Sequence, residues 1–317
     1  MIYIENNFTN PYFNLALEEY LLNNFDEDVF MLWQNEKAII VGKNQNTLSE
    51  INLDYVKQRD IAVVRRLTGG GAVFHDMGNL NFTFIVKNQG EWFSNFEKFT
   101  TPIIDALATF GVCAKLSGRN DISIDDKKIS GNAQLVHKDK ILHHGTLLFN
   151  ADFSDLANSL NVNEEKIKSK GVQSVKSRVT NICEYANVSV VDFKNRVSLD
   201  NLYHLSENDI ACVNKLVEEK YGTWEWNFGY SPKYSYKKEV YFPSGSVELN
   251  IDVEKGIIRN VKIYGDFFAK YDIIDIENAL KGVRHSYEDV KSSLQKFNIN
   301  DYFLGISIDE LLKCMGV

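Results

Sequence analysis

The stretch Arg65-Arg66-Leu67-Thr68-Gly69-Gly70-Gly71-Ala72-Val73-Phe74-His75-Asp76 holds the residues with the clearest chemical purpose. Adjacent glycines carry no side chain to keep a ligand off the backbone, and their freedom at positive φ lets successive N–H groups converge on an anion. Arginine just before them adds a permanent charge whose forked donors suit phosphate or carboxylate. A glycine triplet alone reads better as a loose turn. The two arginines and the return to strand-forming residues shift the reading to an anion-binding loop. The pattern is neither a GxxxxGK phosphate loop nor a GxGxxG that opens a helix, so a nucleotide bound here is held in another way.

A second stretch runs from Ser117-Gly118-Arg119-Asn120-Asp121 to Asp125-Asp126-Lys127-Lys128-Ile129-Ser130-Gly131-Asn132-Ala133-Gln134. Lys128, on a strand beside Ser-Gly, can aim its ammonium into a cleft and stabilise charge that develops on phosphate or acyl oxygens during transfer. Lys127 reads as the solvated tip of a hairpin. Asp121 is a candidate magnesium ligand, although a single aspartate makes a weak metal site. In His143-His144-Gly145-Thr146-Leu147-Leu148 the two histidines are not expected to share a zinc ion, because adjacent residues on a strand face opposite sides.

These residues need elements to position them. Asn10-Pro11 followed by Phe13, Ala16, Leu17, Tyr20 and Leu21 predicts a capped helix. Val29–Trp33 and Ala38–Val41 read as two strands joined by Gln34-Asn35-Glu36-Lys37, most simply a hairpin. Strands are expected at Ala62–Val64 and Asn81–Val86, with the glycine loop between them, and a helix at Phe96–Phe110. Short strands follow at Ala114–Leu116, Asp121–Ile124, Lys128–Ser130, Ala133–His137 and Ile141–Phe149. From Ser154 to about Tyr221 the pattern is mainly helical, with Ser206-Glu207-Asn208-Asp209 as a capping box. Gly222–Tyr236, which contains Ser231-Pro232, reads as a packed linker and places a domain boundary near residue 235. Beyond it, alternation at Val247–Val253, a turn at Glu254-Lys255-Gly256 and a strand at Ile258–Ile263 precede helices at Ile274–Leu280, Tyr287–Phe297 and Ile308–Met315. Consecutive strands with helices grouped apart indicate an α+β layer fold, not a doubly wound parallel sheet.

At 317 residues the chain suits two cores: a catalytic domain over 1–235 and a smaller α+β domain over 236–317. Its 44% hydrophobic and 25% charged content is that of a globular protein. A net charge of −8 argues against gripping a nucleic-acid backbone, which requires neutralising phosphates. With no apolar run long enough for a membrane span and no signal-like start, the expectation is a cytoplasmic protein with core enough to stand as a monomer. Cys113, Cys183, Cys212 and Cys314 are far apart and lack CxxC spacing, so they read as reduced packing residues.

Together the motifs resemble the lipoate–protein ligase family. Arg66 to Asp76 with Gly78-Asn79 is similar to its nucleotide and lipoate loop, Lys128-Ile129-Ser130-Gly131 to its lysine motif, and His143 to Leu148 to the segment after it. Asn14-Leu15-Ala16-Leu17-Glu18-Glu19, Trp33-Gln34-Asn35, Gly42-Lys43-Asn44-Gln45-Asn46 and Ser177-Arg178-Val179-Thr180-Asn181-Ile182 extend the likeness over about residues 10 to 182. Thr68 stands where serine is common, and Lys43 where arginine is common.

The resemblance implies a mixed-sheet catalytic domain related to biotin–protein ligases, followed by an accessory domain that moves during the cycle. It also implies two half-reactions. Lipoate attacks the α-phosphate of ATP with Mg²⁺, and the lipoyl-adenylate then acylates a lysine of an E2 lipoyl domain or of the glycine-cleavage H protein. Carried over by position, Lys128 contacts the α-phosphate and the lipoyl carboxyl oxygens, and Arg66 the phosphates. Gly71, Ala72, Val73 and Phe74 offer backbone contacts to the nucleotide, with Asn79 near the adenine. Trp33, Thr68, Gly69, Gly70, His75 and His144 line the lipoyl tunnel. The acyl-adenylate is itself an activated donor, so no thiol is required. Two alternatives compete: a cysteine-dependent octanoyltransferase or amidotransferase of the same fold, and a regulatory protein that keeps the pocket without turnover.

Overall fold

The computed structural model describes residues 1–45, 47–90, 93–160, 178–197, 201–228, 236–254 and 257–315. The first strands in chain order are β1 (Ile2–Glu5), β2 (Val29–Trp33), β3 (Ala38–Val41), β4 (Ala62–Arg65), β5 (Val73–His75), β6 (Asn79–Lys87) and β7 (Lys115–Ser117). They are followed by β8 (Asp121–Ile124), β9 (Lys127–His137), β10 (Lys140–Leu148), β11 (Leu202–His204), β12 (Tyr236–Phe242), β13 (Gly245–Glu254) and β14 (Ile257–Gly265). One large sheet has the order β11-β1-β2-β6-β10-β9-β8-β7, a small one β4-β3-β5, and a third β12-β13-β14. Parallel pairs (β1 with β2 and β11, β3 with β4) sit beside antiparallel ones, so the fold is α+β with mixed sheets, as expected.

The helix Pro11–Asn24 forms as its sequence predicts. The Asn10 side chain accepts from the N–H groups of Tyr12 and Phe13, and Pro11 opens the first turn, where its missing N–H costs nothing. The helix lies between the large and small sheets. Its Leu15, Leu17 and Leu21 share one core with Val29, Met31 and Trp33 of β2 and with Ala38 and Ile40 of β3. On the opposite face of the large sheet, Phe82 and Phe84 pack against Phe99, Ile103 and Leu107 of the helix Phe96–Ala108.

The expected β2–β3 hairpin is not formed. β2 pairs with β1 and β6, whereas β3 pairs with β4 and β5 in the other sheet. Every residue of both strands is buried, so each needs neighbours on two edges and cover on two faces, which a hairpin cannot supply. Gln34–Lys37 is a crossover tied to the helix start: Asn14 Nδ2 donates to the Gln34 carbonyl at 2.9 Å and Glu36 N to the Thr9 carbonyl at 2.9 Å. The two short strands expected over Lys128–His137 are one strand, β9, continuous through Gly131-Asn132. β1 and β11 carried no clear strand signal; β11 is placed by its parallel register with β1, Tyr3 opposite Leu202.

Between residues 154 and 221 the described helices are Phe153–Ser159, Val190–Val197 and Glu207–Leu216, the last started by the Ser206–Asp209 capping box. The linker centre at 229–235, the turn at 255–256 and Ser177 lie outside the described residues. In the C-terminal unit, Val247, Leu249 and Ile251 of β13 alternate inward against Ile276, Leu280, Val290 and Leu311 of its helices, in a core separate from the others. No described helix is long and apolar enough to cross a membrane. The four cysteines are free, but only Cys314 is a buried packing residue. Cys113 and Cys183 are exposed and Cys212 half-buried, so the reading of all four as packing residues is corrected.

Candidate active site

A cavity of about 410 Å³ opens between the glycine loop, β9, β10 and the C-terminal unit. Of the residues singled out in the sequence, Trp33, Arg66, Gly70, Gly71, Ala72, Val73, His75, Asp121, Lys128 and His144 line it. Leu15 and Ile40 add apolar surface beside Trp33, while Lys128, Asp121, Asn120 and Arg119 make the opposite side polar.

The glycine loop is shaped by its arginines. Arg66 is buried, and its guanidinium donates to the carbonyls of Gly69 (2.7 Å), Gly71 (2.9 Å) and Ile40 (3.1 Å) and to Thr68 Oγ1 (3.0 Å). It is thus committed to the backbone of the loop and of β3, although it also borders the cavity. Burial lowers its pKa to about 10, which leaves it charged at neutral pH. Arg65 faces away and clips the 42–47 segment, donating to the carbonyls of Gly42 (3.0 Å) and Gln45 (2.6 Å) and to Thr47 Oγ1 (2.6 Å). Gly70 has φ 95°, a conformation open to glycine, and its carbonyl lies where a side chain at Gly42 would start, 1.9 Å from an added Cβ.

Thr68 stands behind the wall, not in it, and joins a buried chain of polar groups. Arg66 Nε donates to Thr68 Oγ1, which lies 2.8 Å from His144 Nε2; His144 Nδ1 is 3.0 Å from Glu18 Oε1. Glu18 also accepts from Thr83 Oγ1 at 2.6 Å, and Thr83 accepts from Trp33 Nε1 at 2.8 Å. Glu18 was invisible as a site residue in the sequence, since its place in the Leu-Glu-Glu run looks like the polar face of a helix. His143 points the other way, as strand alternation requires: it stacks on Phe99 at 4.7 Å, and burial holds its pKa well below the usual imidazole range.

His75 is buried, and burial with Arg66 and His144 nearby lowers its pKa to about 3, so the ring is neutral. Asn35 Nδ2 lies 3.1 Å from His75 Nδ1 and donates to it, which leaves the ring proton on Nε2. That Nε2 has no partner among the described residues, and the ring lines the cavity. A buried donor left unpaired costs about 1–3 kcal/mol, so a ligand acceptor here gains a prepared partner. Asn81, which the sequence reading passed over, also lines the cavity and accepts from Asn79 Nδ2 at 2.9 Å. Asn79 itself is one step behind the wall. Gly69 turns toward the C-terminal unit, where an added Cβ would lie 2.6 Å from the Phe267 carbonyl, and the Phe74 side chain packs in a different core with Ile39 and Val63.

On the polar side, Lys128 Nζ is 2.8 Å from Asp121 Oδ1, with both side chains about a third or less exposed. Gly131 makes room for that ammonium: a Cβ there would lie 2.9 Å from Nζ. An ion pair this open contributes about 0–1 kcal/mol, so it can be exchanged for a phosphate at small cost. Among the described residues no group of three or more His, Cys, Asp or Glu side chains could hold a metal ion. Pro243 and Asp266 of the C-terminal unit complete the mouth, and Lys43 Nζ pairs with Asp272 Oδ2 at 2.7 Å across the two units.

A family model described as the lipoyl protein ligase A/B catalytic domain matches residues 10–200, and one for the bacterial lipoate protein ligase C-terminus matches residues 231–315. The chain belongs to the lipoate–protein ligase family. It is 45% identical to lipoate–protein ligase 1 of Staphylococcus aureus over 98% of both chains. Among solved structures of the family, it resembles P. falciparum LipL1 in complex with lipoate (TM-score 0.78, 30% identity, 94% of each chain). A lipoate-protein ligase A bound with ATP is similar with a TM-score of 0.63 and 26% identity, over 72% of this chain and 98% of that one. So is a bipartite ligase, studied with its E2 lipoyl domain, from Thermoplasma acidophilum (0.66, 28%, 74% and 98%).

Proposed function

We propose that this ligase activates lipoate with ATP and transfers the lipoyl group to a lysine of an acceptor protein, an E2 lipoyl domain or the glycine-cleavage H protein. The observation that carries the reading is a single cavity with an apolar side at Leu15, Trp33 and Ile40 and a cationic side at Lys128. An aliphatic acid with a dithiolane fits the first, and a polyphosphate the second. The ATP-bound and lipoate-bound relatives support the same two ligands.

In the first half-reaction a lipoate carboxylate oxygen bonds to the α-phosphorus of ATP, and the bond to the bridging oxygen breaks to release pyrophosphate. Lys128 moves its ammonium from Asp121 to the α-phosphate and acyl oxygens, where negative charge accumulates. The glycine-loop backbone, held open by Arg66, is available to the nucleotide. Magnesium arrives as part of the ATP substrate, bound by phosphate oxygens and water, which fits described residues that offer no group of three or more metal-binding side chains. In the second half-reaction the neutral acceptor amine attacks the acyl carbon, AMP leaves with the bonding electrons, and the amine proton passes to solvent. Residues near 235 serve as the boundary between the catalytic and accessory parts.

The test is pyrophosphate release with MgATP, with and without lipoic acid, followed by the mass of an added lipoyl domain. Lipoate-dependent release with a matching mass gain on the acceptor is expected. No release would favour a cysteine-dependent transferase, a reading that none of the cavity-lining residues supports, since no cysteine is among them.

A further inference from the structure

Arg119 has unusual surroundings for a cation. It follows β7 at the cavity mouth, half-buried, and donates through Nη1 to the carbonyl of Ser244 in the C-terminal unit. Its guanidinium carbon lies 4.2 Å from the ring centre of Phe268, also in that unit. No carboxylate among the described residues forms an ion pair with it. The nearby acids are engaged elsewhere: Asp121 Oδ1 holds Lys128 at 2.8 Å, and Asp266 Oδ1 accepts from Ser246 Oγ at 2.9 Å. Burial outweighs both and lowers the Arg119 pKa. A half-buried guanidinium whose direct partners are a carbonyl and a ring face, with Asp266 and Asp121 acting on it only through space, is incompletely compensated, and an incoming anion would compensate it better.

The anion with reason to be there is the nucleotide's phosphate chain. Arg119 shares its side of the cavity with Lys128 and lies across from the apolar residues suited to an acyl chain. We propose that Arg119 is a phosphate ligand for ATP, and that the phosphates compete for its guanidinium with the Ser244 carbonyl and the Phe268 ring. ATP binding and docking of the C-terminal unit at this corner therefore oppose each other. The inference rests on the ATP-using reading above.

Linkage gives it a signature that a merely structural role lacks. If the two partners compete, weakening the docking contact must strengthen ATP binding, whereas removing the guanidinium must weaken it. The experiment measures MgATP affinity calorimetrically on the full chain without lipoate, for wild type, Arg119→Gln and Phe268→Leu. Paired fluorophores on the two units report their separation. Arg119→Gln is expected to weaken MgATP at least tenfold while lipoate affinity stays within twofold. Phe268→Leu should tighten MgATP about threefold, and both variants should lengthen the separation in the absence of nucleotide. If Arg119→Gln does not fold, Arg119→Lys takes its place; it keeps the charge, loses the fork and should weaken MgATP severalfold. Shifts of the same sign in both variants, or unchanged affinity without the guanidinium, would overturn the proposal while wild-type pyrophosphate release left the ligase reading standing. A wild type that binds no MgATP would remove both.

Discussion

Replacing Arg66 by methionine separates two roles that one side chain could play. The carried-over role is phosphate contact, whereas the structure commits the guanidinium to three backbone carbonyls and Thr68 Oγ1. Methionine fills similar space and removes all four hydrogen bonds. Bonds from a charged donor contribute roughly 1.5–3 kcal/mol each, but carbonyls beside an open cavity recover part of that from water, so about 4 kcal/mol is a reasonable net loss. At about 2–4 °C per kcal/mol for a unit of this size, the melting temperature should fall by on the order of 10 °C. Because the loop from Gly70 to Val73 forms a wall of the one cavity proposed for both ligands, lipoate and ATP affinity should fall together. The assay is thermal unfolding alongside separate titrations with each ligand. A variant that melts within about 2 °C of wild type and loses ATP affinity alone would refute the scaffolding argument and restore Arg66 as a phosphate ligand.

Three further outcomes are expected. Lys128→Ala should lower lipoate-dependent pyrophosphate release by about 10²–10³-fold, the scale for removing one charge-stabilising donor, while thermal unfolding changes little because its partner Asp121 can hydrate. Cys183→Ser should retain full ligase activity in the mass assay, since the thiol is on the surface, 3.7 Å from Asn150 Oδ1 and outside the cavity; a dead but folded variant would revive the transferase reading. Acid should destabilise the fold through His75 and His143, whose folded-state pKa values are depressed, His75 to about 3. Between the unfolded value of about 6.5 and the folded one, the unfolded chain binds more protons, so this stability is complete above pH 6.5 and lost as pH falls, by about 1.4 kcal/mol per pH unit for each histidine. Denaturant titrations from pH 7 to 5 measure the slope, and His143→Gln should reduce it.

Much of the site was legible because its chemistry is written in short contiguous runs. The glycine loop and the Lys-Ile-Ser-Gly strand announce themselves by residue types that a plain core would not use. What stayed hidden depends on distant partners. Glu18 looks like the outer face of a helix until the helix is found between two sheets, where only hydrogen bonds from Thr83 and His144 make its burial tolerable. Asn79, which entered only through the family resemblance, and Asn81 share one face of a largely apolar strand, a pattern that could have flagged Asn81. Asp76, in contrast, looked chemical but closes a turn, accepting from the N–H groups of Gly78 (2.9 Å) and Asp152 (2.7 Å). The missing hairpin has the same origin: alternation and turn residues identify β2 and β3, but which sheet each joins is decided by β6 and β4, outside the reach of a local pattern.

The parallel pairing of β1 with β11 sets an order of events during synthesis. Tyr3 is made about 200 residues before its neighbour Leu202, which is among the last of the large sheet. That edge of the sheet must remain open, or be held by a chaperone, until the residues between Tyr3 and Leu202 have emerged, because so distant a contact closes slowly. The core built on β12–β14 needs only the residues that follow. A ribosome stalled near residue 195 should therefore present a protease-sensitive chain, and one stalled some forty residues beyond residue 204, the length the exit tunnel conceals, a resistant one.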